Sequence, residues 1–140
     1  MRVLKFRAWN TDMNEMVHFS GIQFDPNSPK EIPHIIDQNN DVYYMDEIEL
    51  MQFTGITDKN GKEIFEGDKV SLFCDGNIYR KWKDKEVVFV DGAFGFFWKI
   101  SILSVHSKKT QERFQPFCNI DWDIMEVEVV GNIYEGEEKP

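Results

Sequence analysis

The chain has 140 residues, a mass of 16.6 kDa and a formal net charge of −9, a size that buries roughly two-thirds of the extended-chain surface and supports one main core. No apolar run approaches the roughly 20 residues needed to cross a bilayer, and Met1-Arg2-Val3-Leu4-Lys5 carries no signal-peptide stretch, so a cytoplasmic protein with no membrane partner is expected. The acidity argues against general binding to nucleic acid, which is driven by phosphate neutralisation, yet residues 71–113 hold 8 basic and 5 acidic side chains between two acidic flanks.

The first extended run, Val3 to Trp9, alternates, with Leu4, Phe6 and Ala8 expected to face the core and Val3, Lys5, Arg7 and Trp9 the other side. Asn10 to Asn14 reads as a turn of side chains that bond to their own backbone, and Glu15 to Phe19 as the returning strand. Between Gly21 and Asn40, Pro26, Pro29 and Pro33 predict an irregular connection with a short extended piece around Ile32 to Ile36. Asp41 to Glu47 admits two readings, a helical turn capped by Asp41 or a lead into the strand at Ile48.

Residues 50–70 are the most tightly specified stretch. Apolar-alternating runs flank Asp58-Lys59-Asn60-Gly61, where Asn60 and Gly61 tolerate positive φ, so the chain reverses into an antiparallel hairpin. Glu66-Gly67-Asp68 turns it again into a strand over Lys69 to Cys74, and Asp75-Gly76-Asn77 is a further turn. Glu86 to Val90 and Ala93 to Ile100 form a hairpin across Asp91-Gly92. Ser104 to Gln115, polar and holding His106, Lys108, Lys109 and Arg113, is expected to be a helix or long loop. Ile124 to Tyr134 alternates as a final strand, ahead of an acidic tail. With 12 Phe, 4 Trp and 4 Tyr, the composition favours half-buried pleated faces.

Three segments, Lys5-Phe6-Arg7-Ala8-Trp9, the run from Leu50 to Val70 and Val129-Val130-Gly131-Asn132-Ile133-Tyr134-Glu135, occur in an order and at distances that resemble the YopX family of small phage and prophage proteins. The residues that carry the resemblance are Phe6, Arg7, Trp9, Gln52, Thr54, Gly55, Asp58, Asn60, Gly61, Ile64, Glu66, Gly67, Asp68, Gly131, Asn132 and Tyr134, all read as structural. The resemblance implies a mainly β chain, with a small SH3-like barrel over residues 50–135, an N-terminal β-rich segment over 1–49 and a tail over 136–140, forming one compact unit with at most one or two short helices. It also implies phage origin and self-association, with no established activity. Residues 75–119 hold no motif that contributes to the resemblance.

Chemistry is sparse by comparison. Glu63, Glu66 and Asp68, or Asp121, Asp123, Glu126 and Glu128, could be imagined as cation sites, but turn and strand geometry accounts for both groups. His18, His34 and His106 lack zinc-site spacing. Cys74 and Cys118 have apolar neighbours and read as core thiols without a bridge. No catalytic residue, metal or cofactor is expected, and the chain is read as a non-enzyme. The one unabsorbed feature is Tyr79-Arg80-Lys81-Trp82-Lys83-Asp84-Lys85, two aromatics among four cations. It reads as a solvated hairpin tip or, alternatively, as a surface that stacks bases on Tyr79 and Trp82 while Arg80, Lys81, Lys83 and Lys85 hold phosphates. The leading functional reading is an interaction module for a host or phage protein or for itself, and the alternative is a nucleic-acid-associated factor.

Overall fold

Asn, Asp and Gly cut the chain into short extended runs. In the computed structural model, which describes residues 3–24, 27 and 33–135, these runs pair into antiparallel strands. The protein is mainly β, as expected, and the only helical pieces among the described residues are two single-turn 3-10 segments, Arg80–Trp82 and Phe117–Asn119. The chain divides into two compact units, Met1–Gly55 and Ile56–Pro140.

The first unit orders its strands β4-β3-β2-β1-β5, with β1 at Phe6–Asn10, β2 at Glu15–Gln23, β3 at His34–Asp37, β4 at Val42–Tyr44 and β5 at Ile48–Thr57. Asn10 Oδ1 accepts the N–H groups of Asp12 at 3.0 Å and Met13 at 3.4 Å, which makes the expected β1–β2 turn. Ala8 lies opposite Val17 on one side and Leu50 on the other. It centres a core of Ala8, Val17, Ile35 and Ile48, with Phe19, Ile22, Tyr43 and Met45 packed on it.

The expected core face of the first run is only partly correct. Leu4 precedes the first paired residue and is 65% exposed, Phe6 is half-buried, and Arg7 and Trp9 on the opposite face are buried together with Met51 and Phe53. Both faces of β1 are therefore covered. The segment after Asp41 is neither a helical turn nor a plain lead-in. Asp37 Oδ1 accepts from Asn39 and Asp41, closing a tight turn into β4. Pro26, Pro29 and Ile32, like the tail over 136–140, lie outside the described residues.

In the second unit β6 (Glu63–Phe65) follows the end of β5, and β7 (Asp68–Cys74) pairs with β13 (Met125–Asn132) along one edge. The short β8 (Asn77–Ile78) and β9 (Lys85–Glu86) pair with its other edge. A second sheet orders β10 (Val88–Val90), β11 (Ala93–Leu103) and β12 (Lys108–Pro116). Ile64, Val70, Leu72, Val87, Phe96, Phe117, Ile120 and Val127 form the core. Asp75-Gly76 and Asp91-Gly92 take positive φ at both residues, the mirror-image hairpin turn that Asp-Gly predicts.

Ser104 to Gln115 is the clearest departure. Lys108–Pro116 is a strand paired over its whole length with β11, and Ser104 to Ser107 is a tight turn in which Ser104 N–H donates to the Ser107 carbonyl at 2.8 Å. This strand is almost wholly exposed, so it lacks the polar-apolar alternation by which a half-buried strand shows itself in sequence.

Gly95 faces Pro116 in that pairing. A Cβ at this position would overlap the Gln115 carbonyl oxygen and stand 2.8 Å from Phe114 Cζ and Pro116 Cα. Gly95→Ala is therefore expected to cost about 1–3 kcal/mol in urea unfolding. Gly21→Ala, where nothing lies within 4 Å of the added carbon, should stay within about 0.5 kcal/mol of the parent.

Candidate functional site

Several motif residues are spent on holding the chain together, although Gly55, Asn60 and Gly61 are exposed. Asp58, buried in the turn between β5 and β6, accepts Asn60 N–H and Lys62 N–H on Oδ1, both at 2.9 Å, and Val129 N–H on Oδ2 at 3.0 Å. Lys59 N–H donates to the Val127 carbonyl at 2.9 Å. The Lys59 ammonium sits 4.2 Å above the centre of the Phe73 ring and 3.4 Å from Glu128 Oε2. The hairpin tip is thereby clamped onto β13. Of its two turn residues only Gly61 takes positive φ, and Gly61 N–H donates to the Asp58 carbonyl at 3.0 Å. Asn60 keeps ordinary φ because the reversal is a type I turn closed by one left-handed glycine.

Asp68, 1% exposed, accepts Phe65 N–H on Oδ2 at 2.9 Å, while its carbonyl accepts from Val87 at 2.8 Å. Gly67 donates to the Val87 carbonyl and accepts from Ile133, each at 2.9 Å. Asn132 Oδ1 accepts from Tyr134 and Glu135, both at 2.8 Å. Gly131 follows a bulge at Val130, and Ile64 is core. Phe6, Arg7, Trp9, Gln52, Thr54 and Gly55 belong to the first unit. Asp58, Asn60, Gly61, Ile64, Glu66, Gly67, Asp68, Gly131, Asn132 and Tyr134 belong to the second.

The basic and aromatic run is not a hairpin tip. Tyr79 N–H donates to the Leu72 carbonyl at 2.8 Å, Arg80–Trp82 makes one 3-10 turn, and Asp84 returns the chain by donating its N–H to Ser71 Oγ at 3.0 Å. Lys85 then lies in β9 opposite Val70, half-buried. This strap leaves Arg80, Lys81 and Lys83 exposed and turns the aromatics inward. Trp82 meets Tyr79, Phe96 and Trp98 edge-on at centroid distances of 5.0, 5.4 and 5.9 Å. Its Nε1 is buried with no hydrogen-bond partner among the described residues. Tyr79 and Trp82 are both half-buried, so each keeps only part of its ring open to solvent.

Beside the strap lies a groove of about 300 Å³ lined by Tyr79, Trp82, Asn119, Ile120, Asp121, Ile124 and Met125. Asp121 shapes its far wall. Its carbonyl accepts from Ile124 at 3.1 Å and Met125 at 2.9 Å, and its Oδ1 accepts from Asp123 at 3.0 Å. Trp122 and Ile124 stand exposed here. Sequence reasoning missed this wall, although Ile120, Trp122 and Ile124 alternate with Asp121 and Asp123. A larger concavity of about 440 Å³ in the first unit is lined by Leu4, Lys5, Phe6, Phe19, Gly21 and Ile22, with one titratable side chain.

The remaining candidates scatter. Among the described residues no three His, Cys, Asp or Glu side chains gather as a metal site. His18 and His106 are exposed, and His34 tilts against Tyr44 with ring centroids 5.7 Å apart. Glu63 and Glu66 are half-buried on either side of the β6 turn, and Glu126 is exposed. Both thiols are free, as expected, but neither is core: Cys74 is half-buried and Cys118 exposed. The 3-10 turn at Phe117–Asn119 buries only Phe117.

Fold and surface define a class: a small antiparallel β protein of two units, with an aromatic groove flanked by a basic turn. Residues 5–139 match the YopX protein family, and the chain belongs to it. The crystal structure of protein EF1440 from Enterococcus faecalis is similar over 99% of this chain and 98% of that one, at 22% sequence identity and a TM-score of 0.50. That likeness extends to the fold. No curated protein matches the chain.

Burial works to raise the Asp58 pKa, but the N–H groups of Val129, Lys62 and Asn60, helped by the Lys62 charge, outweigh it and hold the carboxyl below its ordinary 3.8. A depressed acid stabilises the fold above its unfolded pKa and loses that contribution as pH falls through the folded value. Asp58→Asn, which sets an amide donor against one of three N–H groups, is expected to cost about 1–3 kcal/mol at pH 7. Urea midpoints across pH should show the gap between parent and variant closing below about pH 4, the ordinary carboxyl range.

Proposed function

We propose that this YopX-family chain is a non-enzymatic interaction module of phage or prophage origin, acting in the bacterial cytoplasm by binding a protein partner or a second copy of itself. The small SH3-like barrel expected of the family is part of this reading. The observation that carries it is the groove beside the strap, where Tyr79, Trp82, Ile120, Ile124 and Met125 line the floor and walls and Arg80, Lys81 and Lys83 stand exposed alongside. Aromatic and long apolar side chains of this kind are the usual anchors of protein interfaces. An apolar segment flanked by acidic side chains fits both the lining and the charge. Among the described residues Asp121 is the only carboxylate lining the groove, with its Oδ1 engaged in a turn, and no Ser, Thr, Cys or His lines the groove beside it as a nucleophile or base.

A nucleic-acid role remains the second reading, supported by three exposed cations on one short turn. It would work mainly through phosphates, with Tyr79 and Trp82 half-buried and so only partly open to a base. Binding of that kind weakens steeply with salt, and salt-sensitive retardation of DNA or RNA that Lys81→Glu and Lys83→Glu abolish would replace the leading reading.

Ile124 is 53% exposed, so Ile124→Asp should leave stability within about 0.5 kcal/mol. Tagged parent and variant are to be purified from phage-infected cells and compared by light scattering. The parent is expected to retain a partner or self-associate through the groove, and the variant to lose that contact. Identical bound proteins and identical mass for the two would overturn the groove as the contact, and a parent that holds no protein and stays monomeric would overturn the reading.

A further inference from the structure

The second unit carries an edge that its own sheet leaves open. Lys108–Pro116 pairs with β11 in unbroken register from Leu103↔Lys108 to Gly95↔Pro116, and it ends its sheet. Lys108 to Arg113 are all exposed. An edge without a bulge or an internal proline offers a row of unpaired backbone groups to another strand, and its lysines and arginine restrict which strand can pair there. Antiparallel bonding alternates along a strand. The Ser104 N–H to Ser107 carbonyl bond at 2.8 Å marks residues 104 and 107 as a bonded pair. Counting from there, Lys109, Gln111 and Arg113 direct their backbone groups at β11, and Lys108, Thr110, Glu112 and Phe114 direct theirs outward.

We infer that β12 is a self-association edge, on which a second copy of this chain pairs antiparallel about Thr110; the inference rests on the interaction-module reading and names a surface separate from the groove. The occupant follows from charge. In a two-fold antiparallel pair, opposed residues must share a face, so only registers centred on a single residue are allowed. Centring on Lys109 or Glu112 sets identical charges against each other. Centring on Gln111 sets Lys109 against Arg113 twice. Centring on Thr110 sets Lys108 against Glu112 twice and Lys109 against Gln111 twice, with no like charges opposed. Opposite-charge pairs directly across a ladder stabilise it and like charges weaken it.

Within each copy Lys99 lies opposite Glu112, so every Glu112 would sit between two ammonium groups. The same register sets His106 of one copy opposite Phe114 of the other and Val105, 94% exposed, opposite Gln115. Nucleic acid fits this edge less well, because Glu112 stands in its middle.

Light scattering and sedimentation of the full chain over a concentration series test the inference. The wild type is expected to dimerise. Lys108→Glu alone and Glu112→Lys alone should each weaken the dimer at least about tenfold, because each opposes like charges twice. An equimolar mixture of the two variants should restore a one-to-one heterodimer, and the double variant K108E/E112K should restore the homodimer. Ile124→Asp, which perturbs the groove, should leave the dimer intact. A wild type monomeric at every soluble concentration, single variants that associate like wild type, or a mixture that stays monomeric would each overturn the edge pairing. So would a monomer that retards DNA through β12. A monomer that still holds a partner through the groove overturns the edge pairing and leaves the interaction-module reading standing.

Discussion

One carboxylate organises the second unit. Asp58 receives N–H groups from its own turn at Asn60 and Lys62 and from Val129, 71 residues further along the chain. Hydrogen bonds to an ionised acceptor are worth more than neutral ones, and leaving such partners unmet in a buried place costs the full desolvation of each. The turn therefore acts as a bracket for β13. Once Asp58 holds Val129, Lys59 reaches the Val127 carbonyl, and Val127, opposite Leu72, completes the core with Val70 and Ile64.

The family motif is consequently a set of joints. Asp58 and Lys59 join the hairpin to β13, while Gly67 and Asp68 join the next turn to Val87 and Ile133. Asn132 folds the chain after β13 back on itself. None of these groups faces the groove. The family match runs over residues 5–139, whereas the groove proposed for binding is lined by residues between 79 and 125 that take no part in these joints.

Turns were legible in the sequence because their chemistry is local. Asn10, Asp58, Asp75-Gly76 and Asp91-Gly92 each reverse the chain where their side chains or φ preferences require it. Features decided by distant partners were not legible. β12 carries too few apolar side chains to signal a strand and exists because β11 runs beside it. Arg7 and Trp9 are buried because both faces of β1 are covered, which alternation along one strand does not reveal. The groove is hidden in the sequence for a similar reason. Its walls come from segments about 40 residues apart, and the inward turn of Trp82 depends on Phe96 and Trp98.

The Asp58–Val129 bond also sets a timetable for folding. The hairpin around Asp58 can close within microseconds, because its own turn supplies two donors. The third donor must be found across a loop of some 70 residues, whose closure entropy is lost before any packing rewards it. Until then the carboxylate remains half-satisfied and the edge of β7 that β13 will occupy stays open. The interval between those two events is when this small protein is most exposed to pairing with the wrong strand.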